Sequence, residues 1–187
     1  MGQLGDASNP VHALIAGNVL EREMYAVPNV GTVYIAAYAG GSGVINDSTG
    51  PWAIPRPYRT VQLALTSAGT VGTVTITGTD PTGAAQTEVL TSVAGSTVQG
   101  AKCWKTITSV VSSTDPGSSK NLTLSWGRGW ALRTPYDSTA GAGLSCAGVV
   151  EALAAGSNAA TGVVIPTTAP DGSKVFCVDY KKALTLA

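Results

Sequence analysis

Large aromatic side chains are scarce in this sequence: Phe176 is its single phenylalanine, set against 23 glycines and abundant Ala, Thr, Ser and Val. Small β-branched residues fill a thin sheet sandwich better than the wider spaces between packed helices. Histidine is nearly missing too. His12 is the only one, so neither a Ser–His–Asp nor a Cys–His nucleophile has an obvious base, and the usual nitrogen-rich zinc site cannot be assembled. His12 itself reads as a surface or packed residue. The cysteines, Cys103, Cys146 and Cys177, are odd in number and widely spaced. They suggest neither a disulfide framework nor a metal site, and read as reduced, packed small hydrophobes, Cys177 most of all because its strand is apolar.

Charge is the next shortage. Charged residues make up 12% of the chain, where about a quarter is usual. The 11 basic and 11 acidic residues cancel, for a pI near 6.5. Nucleic acid needs a concentrated basic surface, and the only adjacent basic pair is Lys181-Lys182, so no nucleic-acid partner is expected. A neutral, charge-poor chain is better suited to an assembly than to life as a lone monomer, which net charge keeps apart from its copies. No run reaches the ~20 apolar residues of a membrane span. The N-terminal stretch lacks the basic flank of a signal peptide, and Asp6 breaks the myristoylation pattern. The expectation is a soluble product made in the cytoplasm, in which the acceptor-like patterns at Asn46 and Asn121 are chance matches.

Glycine-rich stretches do not supply a phosphate site either. "GGSGVIN" (Gly40 to Asn46) lacks the Lys-Ser/Thr of a P-loop, and "GAGLSCAG" places its third glycine too late for a dinucleotide fingerprint. Both read as flexible loops. Glu21 and Glu23 flank Arg22; on a helix they would not face each other, on a strand they would share a face, and they read as a solvated charge cluster rather than a glycosidase pair. "WGRGW" (Trp126 to Trp130) is the densest aromatic feature. Two tryptophans around Arg128 could stack a sugar or a base, but burial or a subunit contact is the preferred reading. No catalytic residue, cofactor site or metal site is expected.

What the sequence does have is strand and turn chemistry. In "TVTITGTDPTGAAQTEVLT", residues 73–91, Thr73, Thr75 and Thr77 alternate with Val74 and Ile76, the period of a half-buried strand. Asp80, Pro81 and Gly83 supply a turn, and Gln86 to Thr91 a return strand. Val61, Leu63 and Leu65 alternate in the same way; further strands are expected at Ser96 to Gln99, Lys105 to Val111 and Leu122 to Trp126. A second Thr-Asp-Pro turn, Thr114-Asp115-Pro116, precedes the last of these. Residues 1–58 are expected to hold an N-terminal arm, a strand near Val33 to Ala37 and a Gly/Pro loop. Val11 to Met24 reads as a short helix or an extended arm. Residues 59–130 form the β core, and residues 131–187 a C-terminal β segment packed on it, with strands near Val149 to Leu153, Gly162 to Pro166 and Phe176 to Tyr180. The fold class expected is all-β: an antiparallel sandwich or barrel with an N-terminal arm and little helix.

The run "GTVTITGTDPTGAAQTEVLT" followed by "GAKCWKTITSV" resembles a module that recurs in tailed-bacteriophage virion proteins, a "VTVTGTD…G…TE" hairpin followed by a Gly-Thr-Lys-aromatic-Lys strand leading into "ITSV". Ala101 and Cys103 depart from that pattern. The ending "APDGSKVFCVDYK" is similar to terminal hairpins of phage structural proteins. The resemblance implies a virion component made in the host bacterial cytoplasm: a capsid decoration (cement) protein that binds the major capsid protein at capsomer junctions, commonly as a homotrimer. A tail or neck component is the alternative, and a carbohydrate-binding module using Trp126 and Trp130 a further one. Contact anchors are expected in the arm, at Val11, Leu14, Ile15, Val19 and Leu20, and at the tryptophans Trp52, Trp104, Trp126 and Trp130, since aromatics dominate interface hot spots.

Overall fold

The computed structural model describes residues 13–15, 18–26, 34–41, 43–54, 57–66, 68–136, 142–146 and 148–181. No helix occurs among them. The strands in chain order are β1 (Ala13–Ile15), β2 (Asn18–Ala26), β3 (Tyr34–Ala39), β4 (Asn46–Asp47), β5 (Trp52–Ala53), β6 (Arg59–Leu65), β7 (Thr73–Thr79), β8 (Ala85–Thr91), β9 (Thr97–Gln99), β10 (Thr106–Ser112), β11 (Asn121–Ala131), β12 (Ala142–Cys146), β13 (Val149–Glu151), β14 (Val163–Val164) and β15 (Val175–Lys181). The all-β antiparallel sandwich expected from alternation is what forms. The chain divides into two compact units, residues 30–130 and a terminal unit made of residues 1–29 with 131–187.

The central unit is built from two sheets. One runs β4-β10-β7-β8, with β5 also on β10; the other runs β3-β11-β6-β9. Alternation decides which side chains meet between them. Val74 and Ile76 of β7, Leu90 of β8, and Ile107 and Val110 of β10 share one buried cluster with Val61, Leu63 and Leu65 of β6 and with Leu122, Leu124 and Trp126 of β11. Ile45, Ile54 and Trp104 complete it, with Tyr38, Trp52 and Tyr58 packed against its margin.

Both Thr-Asp-Pro turns are held by their aspartates. The Asp80 carboxylate accepts from the Thr82 N–H (2.8 Å), the Ala84 N–H (3.0 Å) and the Thr82 hydroxyl (2.6 Å), while Gly83 takes a φ of 97° that a Cβ would resist. Asp115 does more than close its own turn. It accepts from the Gly117 N–H and from the N–H groups of Gly41 and Gly43, each at 2.8 Å. Those donors, Gly41 first, hold its carboxyl below the usual range. The glycine-rich loop that follows β3 is therefore clamped by a carboxylate some seventy residues away in sequence.

The terminal unit has a sheet of order β1-β2-β15-β12-β13. Phe176, Val178 and Tyr180 of β15 are buried on one face together with Leu144 and Cys146 of β12. The segment Val11 to Met24 is thus not a helix where it is described, nor a free arm. Residues 13–15 and 18–20 close a hairpin, Ala13 opposite Leu20 and Ile15 opposite Asn18, and β2 pairs along its other side with β15 from Leu20–Lys181 to Ala26–Val175. Once Glu21, Glu23 and Tyr25 alternate with Arg22 and Met24, a strand satisfies the pattern that no 3.6-residue period does. Residues 1–58 are consequently not one structural segment: β2 belongs with the C-terminal strands, and β3 to β5 with the central unit.

Leu63→Ala removes a fully buried branched side chain and is expected to cost about 2–5 kcal/mol, read as a lower urea midpoint at unchanged slope. Gly78→Val is expected to be at least as damaging, because a Cβ at Gly78 would sit 2.1 Å from the Thr106 carbonyl oxygen and push β10 off β7. Thr75→Ala, on the opposite face from the core, should stay within about 0.5 kcal/mol of the parent.

Candidate interaction surface

The outer face of the β8-β7-β10 ribbon is a regular surface three strands wide. Register puts its side chains in rows: Ala85, Thr79 and Thr106; Thr87, Thr77 and Ser109; Val89, Thr75 and Val111; then Thr91 beside Thr73. Not one of these carries a charge. Val89 is 58% exposed and Val111 37%, and the threonines turn methyl and hydroxyl groups outward between them. The Thr79 and Thr106 hydroxyls bond to each other at 2.7 Å, which ties the end of the ribbon together. Residues 72–91 and 100–110, which carry the phage-module resemblance, include β7, β8 and β10 as far as Val110.

Its β8 edge is not left bare. Glu88 points inward and is buried; its Oε1 accepts from the N–H groups of Ala101 (2.7 Å) and Lys102 (3.2 Å). Burial pushes the Glu88 carboxyl up, and those two N–H groups with the Trp104 indole pull it back. The Lys102 ammonium donates to the Thr87 carbonyl (2.6 Å), and the Gln86 amide donates to the Cys103 carbonyl (2.6 Å). Residues 101–103 are thereby laced to β8. An inward charge and a tethered loop are ways a protein prevents an edge strand from recruiting a neighbour.

Three of the four tryptophans expected as anchors lie inside the chain rather than on its surface. Trp104, Trp126 and Trp130 are buried, Trp104 and Trp130 completely, and Trp52 is half-buried against the core margin. A core short of phenylalanine uses indoles as its large volume elements, and a buried ring offers no platform to a sugar or a partner. In "WGRGW" the exposed residue is Arg128; Gly127 makes room for the Gln99 amide and Thr60 hydroxyl, which would lie 2.0 and 2.4 Å from a Cβ there. The Gln99 amide donates to the Thr60 hydroxyl (2.9 Å) and the Val61 carbonyl (2.9 Å), and Arg59 donates to the Gly127 carbonyl. Burial lowers the Arg59 guanidinium to about 10.

The expected arm anchors divide. Val11 lies outside the described residues, as does His12, while Leu14, Ile15, Val19 and Leu20 lie on the β1–β2 hairpin and so cannot act as a detached arm. Cys103 and Cys146 are buried free thiols, as packed hydrophobes should be; Cys177, expected to be the best packed, is half-buried beside Met24 and Ser145. Glu21 and Glu23 overturn the reading of a solvated cluster. They are 6% and 5% exposed, on one face of β2. The Tyr180 hydroxyl contacts Glu21 Oε2 (2.6 Å) and also Glu23 Oε1. The Thr134 hydroxyl donates to Glu21 Oε2 (2.9 Å), the Arg133 N–H to Glu23 Oε1 (3.0 Å), and the Tyr25 hydroxyl to Glu23. The two-residue spacing was the available signal, and it became decisive only once β2 was a strand.

Comparison with protein-family models, curated proteins and solved structures finds no match to this chain.

Trp130→Ala is expected to destabilise the protein by about 3–5 kcal/mol, visible as a lower thermal midpoint with loss of near-UV dichroism. Selective loss of glycan binding with an unchanged midpoint would instead identify a sugar platform.

Proposed function

We propose that this chain is a structural virion protein that decorates and stabilises a bacteriophage capsid, seating the uncharged β8-β7-β10 face on the major capsid protein at capsomer junctions and associating with its own copies as a trimer. The observation that carries the reading is that face: three strands wide, regular, built of Thr, Val, Ala and Ser, with no charge to keep a neighbour away. Water solvates such a surface poorly compared with a charged one, and covering it releases that water without burying an unpaired ion. Symmetry multiplies the gain. An interface above about 1,000 Å² per contact, repeated at each equivalent junction, lets a modest affinity brace a whole shell.

Further support comes from the resemblance, whose motif segments include β7, β8 and most of β10, and from the balance of 11 basic and 11 acidic residues, which gives the copies no net charge to repel one another. The N-terminal residues enter this reading differently from the sequence expectation. Since β2 is paired on both sides, removing it would undo a sheet rather than free a surface.

Mixing the purified chain with particles that lack it tests the proposal. Binding should saturate at on the order of hundreds of copies per particle, as shell symmetry requires, and should raise the temperature at which the particles release their DNA. The double variant Thr75→Arg with Val89→Arg should abolish binding while leaving the far-UV dichroism and melting curve of the free protein unchanged. Saturation at a handful of copies would place the chain in the tail or neck instead, and binding unaffected by the two arginines would remove the face from the mechanism.

A further inference from the structure

Within the terminal unit, Glu21 and Glu23 face the same way from β2, and Tyr180 of β15 stands opposite Glu21 in register. A phenol has one hydrogen to give. Tyr180 contacts a carboxylate oxygen of each glutamate, Glu21 Oε2 at 2.6 Å and Glu23 Oε1, so its hydroxyl can donate to only one of them. The other oxygen pair needs a hydrogen of its own, and a carboxyl group is the available source. Two buried carboxylates held on one hydroxyl also cannot both ionise without strong repulsion.

We infer that the Glu21–Tyr180–Glu23 group retains one shared proton when the terminal unit folds, which makes the β2–β15 pairing a pH-sensitive latch that is closed while the proton stays and loosened when it leaves.

The groups facing this trio fit a neutral ensemble. From β2 comes the Tyr25 hydroxyl, donating to Glu23. The segment after β11 brings the Arg133 N–H, the Thr134 hydroxyl and the Tyr136 ring, which meets Tyr180 edge-on at 6.5 Å. Arg133 also contributes positive charge near Glu23. Two carboxylates, one guanidinium and one proton sum to zero. Cys146 of β12, a neutral thiol, lies further along the same face, and β1 brings no titratable residue. Arg22 and Asp179 form their ion pair on the opposite, exposed face of the sheet.

The direction follows from linkage. Burial raises the Glu23 carboxyl above its ordinary 4.5, with the Tyr180, Arg133 N–H and Arg133 charge contributions opposing and Glu21 adding to the rise. Below that ordinary value both folded and unfolded chains hold the proton, and the latch contributes fully. Above it the unfolded chain gives up its proton while the folded one keeps it, so stability declines with rising pH until the folded group titrates too. One proton of difference is about tenfold in the folding constant per pH unit across that window. The inference concerns the terminal unit alone and stands whether or not the central face binds a capsid.

Hydrogen exchange and infrared spectroscopy on the full chain test it together. Protection factors of the β15 amides, Phe176 to Tyr180, should fall about tenfold per pH unit as the pH rises above the ordinary carboxyl range, while those of β7 stay level. The infrared spectrum at neutral pH should show the carbonyl band of one protonated carboxyl, absent from both Glu21→Gln and Glu23→Gln. Either variant, now carrying a permanently neutral amide, should flatten the pH dependence of β15. A spectrum of the parent protein with ionised carboxylates only at neutral pH, or β15 protection that does not change with pH, would overturn the inference even if neither variant folds.

Discussion

Burial between two inner sheet faces sets the rest of the central unit in place. Val74, Ile76, Ile107 and Val110 on one side and Val61, Leu63, Leu122 and Leu124 on the other share one cluster, and β7 and β10 show small polar residues outward as a result. Because the pleat has a period of two, a slip of one residue would exchange the apolar face for the threonine face throughout a strand. Small aliphatic side chains alone would leave gaps, and a void in a core forfeits the dispersion contacts of everything that lines it. The buried Trp104 and Trp126 supply the missing volume, which is why indoles that look like binding residues in the sequence lie inside.

Several polar side chains enter the interior with their hydrogen-bond partners. Arg59 reaches a backbone carbonyl beside Gly127, Gln99 spans Thr60 and Val61, and Glu88 takes two backbone N–H groups from residues 101 and 102. These contacts fasten the loops between strands while leaving the outward face of β8-β7-β10 unmodified. The division of labour is spatial: charge is spent on tying segments inward, and the surface that remains is neutral.

The central unit was legible where local pattern and tertiary environment agree. The hairpin at residues 73–91, the alternation in β6 and the Thr-Asp-Pro turns all follow from neighbours a few residues apart, and the structure places them within a residue or two of the sequence expectation. Legibility failed where the deciding partner is remote. Nothing local tells Val11 to Met24 that β15 will pair with it, so the sequence left it open between a helix and an extended arm. Glu21 and Glu23 are acids beside an arginine until Tyr180, far along the chain, covers them. The tryptophans failed for a third reason: composition names the large side chains but not which face of the strand the pleat gives them. Asp115 was legible as a turn former, and its grip on Gly41 and Gly43 was not.

The pairing of β2 with β15 carries a consequence for biosynthesis. Arg22 meets Asp179 across a separation of 157 residues, and the whole central unit is threaded between them in the chain. A ribosome therefore releases β2 long before its partner, and contacts of such separation close slowly because loop entropy must first be overcome. The central unit, contiguous in sequence, can collapse while β2 still waits with one edge open. Translation thus leaves an unfinished sheet exposed until β15 emerges.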